Sequence, residues 1–190
     1  MKRFLFALFV SLYFLITYVS FAQNNSSSSA NPNVALDTQK PSVDYTLPYP
    51  GLLPDNPLYP LKMLRDRIVL FLINDSVKRT EFYLLQADKR LQAGVFLYRK
   101  DPSKISLSLD TLGKSEQYFT KAVKEVEKVK QEKKDIGALL NNLQRASLKH
   151  EEVLLLFEKS VPQEYRKRVR VIIDNMRNHQ NTVNELISSS

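Results

Sequence analysis

The side chains best suited to metal binding or proton transfer are few in this 190-residue chain, which has two histidines and no cysteine. A zinc site built on thiolates is therefore excluded, and His150 and His179 alone cannot form a three-histidine site. On a helical hairpin that turns near Val161, the two imidazoles would be offset by about 10 Å along the helix axis. We therefore predict no metal and no cofactor, and expect both histidines to be partly buried and hydrogen-bonded.

Acid–base and nucleophilic chemistry has no better support in the sequence. Glu151 and Glu152 are adjacent, so they point to different faces of a helix and do not form an acid–base pair. The chain contains no G-x-S-x-G, no Gly-rich phosphate-binding loop, no H-E-x-x-H and no EF-hand spacing. We predict that the protein is not an enzyme and has no catalytic residue. An enzyme with an unrecognised arrangement of residues is the less favoured alternative.

Three arginines near the carboxyl end are the candidate contact for an anionic surface. The chain carries a formal charge of +8, and Arg166, Arg170 and Arg177 fall within about 40° of one another on a helix. One interpretation is an ordinary solvated face. The other is a contact with anionic lipid headgroups or cell-wall polymers.

The elements that would position these residues are helices. From Pro57 onward the apolar spacing predicts helices over about 57–73, 77–99, 104–133 and 135–159, and a fifth beyond Pro162. Asn56 is the expected N-cap of the first helix, with Pro57 in its first turn. Short links between long helices favour antiparallel neighbours. We predict an all-α fold, an elongated antiparallel bundle of four long helices plus a short first helix at its end or side.

Each predicted helix has one apolar face. The first helix carries Leu61, Leu64, Ile68 and Leu72 on one side. The apolar faces expected in the other four helices comprise Leu84, Ala87, Leu91, Val95 and Tyr98; Ile105, Leu109, Leu112, Phe119, Val126 and Val129; Ile136, Leu140, Leu143, Ala146, Val153 and Phe157; and Tyr165, Val169, Ile172, Met176, His179, Val183 and Leu186.

The first 22 residues have the pattern of a secretory signal. Lys2 and Arg3 precede an uncharged apolar run over residues 4–19, and Ser20 and Ala22 are the small residues of a cleavage site. We expect export and cleavage between Ala22 and Gln23. The alternative is an uncleaved membrane anchor, because the apolar run approaches the roughly 20 residues that span a bilayer.

Two segments separate this signal from the helices. Residues 23–42 are rich in Ser and Asn and predict a disordered linker. Residues 43–60, which we name the collar, interleave proline with tyrosine and leucine, so we expect the collar to pack on the helical domain over residues 61–188. In particular, Tyr49 and Tyr59 should bury much of their rings.

Two stretches carry a family resemblance, LPDNPLYPLK over residues 53–62 and LLQADKRLQAG over residues 84–94. They resemble the PD-x-PLY-x-LK motif and the following helix of the bacterial DUF5667 family. The matching positions are Pro54, Asp55, Pro57, Leu58, Tyr59, Leu61, Lys62, Leu85, Ala87, Arg90 and Leu91. The resemblance covers about half of the chain and implies an exported helical protein, without supplying any catalytic residue.

The sequence favours an exported, non-enzymatic interaction or structural module of the cell envelope or cell surface. Its partner would be a protein or an anionic envelope component, and the membrane would be contacted only through an uncleaved signal segment. Nucleic acid is a poor match for an exported protein with this modest charge. The alternative function is an extracytoplasmic chaperone-like or stress-sensing protein that binds cargo on its helical surfaces.

Overall fold

The computed structural model describes residues 43–189, which form an all-α structure. The predicted signal, the cleavage site at Ala22 and Gln23 and the linker lie outside the described residues. Within residues 43–189 there are five α-helices, one short 3₁₀ turn and no strand. The elements are α1 (Tyr59–Leu72), α2 (Ser76–Lys100), the 3₁₀ turn (Pro102–Lys104), α3 (Ile105–Gln131), α4 (Gly137–Ser160) and α5 (Gln163–Ser188).

Side-chain caps define two of the helix boundaries. The Asp75 carboxylate accepts a hydrogen bond from the Lys78 N–H at the start of α2, and Asp101 accepts from the Ser103 N–H before α3. Asn56 is not the N-cap of α1, because its side chain accepts from the Leu58 N–H and the helix begins only at Tyr59. The prediction was wrong because a turn intervenes before the helix.

Hydrogen bonds between helices show how they pair. The Ser108 hydroxyl of α3 donates to the Gly94 carbonyl of α2 at 2.7 Å, and the Ser115 hydroxyl donates to the Ala87 carbonyl at 2.8 Å. Later residues of α3 thus meet earlier residues of α2, so the two helices run antiparallel. The α4–α5 pair follows the same rule, since Arg170 donates to Glu158 and, further from the turn, Gln144 donates to Asn184.

Two apolar clusters form the core between these helices. One is centred on Phe119 with residues from α2, α3, α4 and α5, and the other is built around Leu91, Leu109, Leu154 and Ile173. The predicted apolar faces of α2 to α5 are confirmed, because their members are buried or half-buried. The periodicity succeeded there because each of these helices has neighbours to cover its apolar side.

The collar packs on the helices, although only one of the two tyrosines that were predicted to be buried does so. The Val43 N–H donates to Glu152 at 3.0 Å, and the Asp44 carboxylate pairs with Arg145 at 3.2 Å. Tyr59 is half-buried, but Tyr49 is 79% exposed, so the burial predicted for Tyr49 was wrong. Tyr45 is the tyrosine that contacts the core instead.

Candidate functional site

The most unusual surface of the described residues is on α1, whose apolar side faces outward. Leu61, Leu64, Ile68 and Leu72 do share one face, but they are 64%, 56%, 53% and 68% exposed, and Phe71 beside them is 83% exposed. We name these five residues the α1 apolar face. Isolated exposed leucines are ordinary, whereas a contiguous apolar patch indicates an interaction site.

The opposite side of α1 is the one that contacts the protein. Asp66 is the only buried residue of the helix, and Tyr59, Met63 and Leu70 are half-buried. The Arg79 guanidinium donates to the Ile73 carbonyl at 2.8 Å and so fixes the end of α1. The helix is therefore attached by the side that carries Asp66 and these half-buried residues, which leaves the α1 apolar face exposed.

Buried Arg90 of α2 lies beneath this attachment. Its guanidinium donates to the Gln86 side chain at 2.5 Å and to the Met63 sulfur of α1 at 3.1 Å. It also stacks over the Tyr118 ring of α3, 4.2 Å from the ring centroid. No carboxylate of the described residues forms an ion pair with Arg90, which is 2% exposed. One side chain thus contacts α1, α2 and α3 at a single point.

The collar holds the other end of α1. The Lys62 ammonium donates to the carbonyls of Pro50 and Leu52 at 2.7 and 3.1 Å, and burial lowers the pKa of Lys62 to about 8. Asp55 accepts from Lys100 and Lys104 at 3.0 and 2.8 Å. Hydrogen bonding from Lys104, then from Lys100, lowers the pKa of the Asp55 carboxyl.

The charged residues of α1 border the apolar face. At about 100° per residue, Arg67 falls on one edge of the face and Arg65 on the other. Arg65 is 64% exposed and pairs with Asp66 at 2.8 Å, while Arg67 is exposed and has no ion-pair partner within residues 43–189. Asp66 is the only acidic residue in α1 and lies on the attached side. The outward side therefore presents only apolar and basic groups.

A cluster of polar side chains in the core contains one of the two histidines, His150, together with Asp88 and Tyr45. The Asp88 carboxylate accepts from the Tyr45 hydroxyl and from His150 Nε2, both at 2.7 Å. The other ring nitrogen of His150, Nδ1, is buried and has no hydrogen-bond partner within residues 43–189. Burial, followed by the Asp88 charge, raises the pKa of the Tyr45 phenol. Because His150 is 0% exposed, this group links the collar to the core and does not face solvent.

His179 makes a separate set of contacts. Its Nε2 lies 3.0 Å from a Glu116 carboxylate oxygen and 2.9 Å from the Thr120 hydroxyl. Both histidines contact the Phe119 ring, with centroid distances of 5.4 Å for His150 and 5.8 Å for His179. Each imidazole thus binds its own carboxylate. Within residues 43–189 no three His, Asp or Glu side chains are grouped closely enough to hold a metal ion.

The three arginines singled out as an anionic contact lie on α5 with local partners. Arg170 pairs with Glu158 at 2.5 Å, and Arg177 pairs with Glu151 at 2.7 Å. Arg166 donates to the Val161 carbonyl at 3.3 Å. These ion pairs connect α5 to α4 and reduce the positive charge available to an anionic partner.

Sequence reasoning missed Phe71 and Arg90 as residues of this site. Phe71 could have been found, because it falls beside Leu64 and Ile68 on a helical projection of α1. Arg90 appeared only as a matching family position, and no local pattern distinguishes a buried arginine from an exposed one.

None of the five helices in residues 43–189 is sufficiently long and apolar to span a bilayer.

Comparison with known proteins gives a family and no closer relative. No curated protein and no solved structure matches the chain. A family model described as a domain of unknown function, DUF5667, matches residues 51–164, which include the collar's end, α1 to α4 and the start of α5. The match reaches further than the two motifs, which did not include α4. Because it spans more than half of the chain, the protein belongs to the DUF5667 family.

Proposed function

We propose that this chain is an exported, non-enzymatic interaction module of the cell envelope or cell surface, and that it binds through the α1 apolar face. In this proposal residues 1–22 are a signal peptide, residues 23–42 are a flexible linker, and the helices form an elongated antiparallel bundle. The observation that carries it is that contacts at Lys62, Met63 and Ile73 attach α1 near its start and at its end, while its apolar side stays exposed.

Exposure of this kind has a free-energy cost unless a partner covers it. Burying a Leu, Ile or Phe side chain is worth about 1.5–3 kcal/mol relative to leaving it in water. The hydrogen bonds at Lys62, Met63 and Ile73 hold the opposite side of α1 in place and keep the α1 apolar face outward. The arrangement therefore suits a helix that is presented to a partner.

Site-specific photo-crosslinking in cells of the native host tests the proposal. A photoreactive phenylalanine analogue at Phe71 should form adducts with an envelope component. The same analogue at Tyr49 is the matched control, because Tyr49 is a similarly exposed aromatic residue, 79% against 83%, outside α1. Absence of adducts at Phe71, or equal adducts at both positions, would refute binding through the α1 apolar face.

The export part of the proposal has its own experiment. N-terminal sequencing of the protein recovered outside the cytoplasm should begin at Gln23. A form that retains Met1 would contradict cleavage and support the membrane-anchored alternative. Recovery of all of the protein in the cytoplasm would contradict export itself.

An extracytoplasmic chaperone-like function is the second candidate, because the α1 apolar face could also bind segments of unfolded chains. It predicts that the purified protein suppresses aggregation of a model substrate at near-stoichiometric ratio. Ile68→Asn should abolish the suppression, and Leu156→Asn, at a residue of α4 that is 57% exposed, should not. No suppression by the unaltered protein would exclude this function.

A further inference from the structure

We infer that α1 is a membrane-surface helix, and that the partner of its apolar face is an anionic phospholipid bilayer. The inference rests on the proposed function, because an exported chain works beside such a surface, and it names the partner. The helix would lie parallel to the bilayer, with the α1 apolar face among the acyl chains and the rest of the domain outside.

The side-chain chemistry of the outward side matches this orientation. Interfacial helices insert Phe and Leu at the boundary between headgroups and acyl chains and keep Lys or Arg at the edges. In α1 the apolar face supplies Leu61, Leu64, Ile68, Phe71 and Leu72, and Arg65 and Arg67 lie at its edges. Leu58 and Val69, which are 54% and 39% exposed, extend the apolar surface beyond Arg65.

The distribution of charge favours anionic lipid over a second copy of the chain. The only carboxylate of α1, on Asp66, lies on the attached side. In a symmetric contact between two such helices, Arg67, which has no ion-pair partner within residues 43–189, would approach the basic groups of the second copy without an acidic group to pair with. A bilayer with anionic headgroups supplies those negative charges on both edges of the helix. Over residues 58–100, which include α1, the chain has nine basic and four acidic side chains.

Fluorescence offers a local test, because the chain contains no tryptophan. In Phe71→Trp the only indole would lie on the α1 apolar face, and in the control Tyr49→Trp it would lie on the collar. The full chain is mixed with vesicles of phosphatidylcholine and phosphatidylglycerol. We expect the emission of Phe71→Trp to shift to the blue and that of Tyr49→Trp to stay unchanged. Attachment through residues 4–19 alone would leave both unchanged.

Two further substitutions in the Phe71→Trp background test the proposed contacts. Ile68→Asn should weaken vesicle binding at least about tenfold, since it removes the burial of one large apolar side chain. Arg67→Gln should weaken it roughly fivefold, the effect of one basic group near an anionic surface. Lys167→Gln is the charge control, because Lys167 is exposed on α5. Unchanged thermal melting of each variant confirms that the fold is intact.

Several results would overturn the inference. An unshifted indole in Phe71→Trp excludes contact with lipid, and an equal shift in Tyr49→Trp means non-specific adsorption. Equal binding to vesicles of phosphatidylcholine alone removes the role of anionic charge. A blue shift that grows with protein concentration without vesicles indicates self-association. If crosslinks form at Phe71 in cells while vesicle binding fails, the proposed function stands with a protein partner and the lipid inference does not.

Discussion

Adding one methyl group at Gly94 tests a tight contact between α2 and α3. A Cβ atom at Gly94 would lie 2.6 Å from both Cγ and Cδ2 of Leu112 and 3.1 Å from the Ser108 carbonyl oxygen. Carbon atoms in contact are normally about 3.5–4.0 Å apart. Leu112 is 0% exposed, so its side chain cannot relieve the contact by moving into solvent.

The expected change in the free energy of unfolding follows from one stabilising and two destabilising effects. Ala is favoured over Gly inside a helix by about 1 kcal/mol, which alone would stabilise the variant. Overpacking of a filled core costs about 1–3 kcal/mol. Separation of the helices would also stretch the 2.7 Å hydrogen bond from the Ser108 hydroxyl to the Gly94 carbonyl, worth about 1 kcal/mol. We expect Gly94→Ala to lower the free energy of unfolding by about 2 kcal/mol.

The matched control is Gly113→Ala, on the neighbouring helix. A Cβ at Gly113 meets no atom within 4 Å, so only the helix propensity changes and we expect a gain of up to about 1 kcal/mol. In thermal melts monitored by circular dichroism, Gly94→Ala should lower Tm by about 4–8 °C and Gly113→Ala should raise it by about 2–4 °C. If Gly94→Ala raises Tm as Gly113→Ala does, the packing argument is wrong.

Two further predictions concern the collar. The raised pKa of Tyr45 keeps its phenol protonated in the folded state, whereas the unfolded chain ionises near pH 10. Its contribution to stability is therefore complete below about pH 10 and lost as the pH rises above it. Between pH 9 and pH 11, the free energy of unfolding measured in urea should fall less for Tyr45→Phe than for the native chain. Tyr49→Phe is the control and should lose as much stability as the native chain. Equal losses in all three proteins would contradict this prediction. Second, a chain that begins at Leu58 should have a much lower melting temperature than one that begins at Val43. The shorter chain lacks the contacts of Val43, Asp44 and Tyr45. If the two melting temperatures agree within about 2 °C, the collar does not stabilise the domain.

Helix type and position were largely predictable from local information. Apolar residues at steps of three and four, interrupted at residues 74–76 and 101–103, predicted α2 and α3 to within a few residues of their ends. The cap at Asp75 follows a general rule, because a carboxylate before a helix accepts from its unpaired N–H groups. The start of α1 was placed too early, because an asparagine that accepts from the backbone N–H two residues later can begin a turn as well as cap a helix.

Burial of individual tyrosines in the collar was not predictable in the same way. Tyr45 and Tyr49 lie in one proline-rich stretch with similar neighbours in sequence. Tyr45 is held because Asp88, distant in the chain, accepts its hydroxyl hydrogen bond at 2.7 Å. Tyr49 has no such partner within residues 43–189 and is exposed. Irregular backbone has no period, so nothing in the sequence indicates which side chains turn inward.

The sequence by itself determined the all-α class, the family and the fact that Leu61, Leu64, Ile68 and Leu72 share one face of α1. Only the tertiary structure decided that this face is exposed. Periodicity reports which side chains lie on the same side of a helix, because that depends only on the rotation per residue. Whether that side is covered depends on contacts made by the opposite side, here with Arg90 of another helix. Such long-range contacts leave no local pattern in the chain.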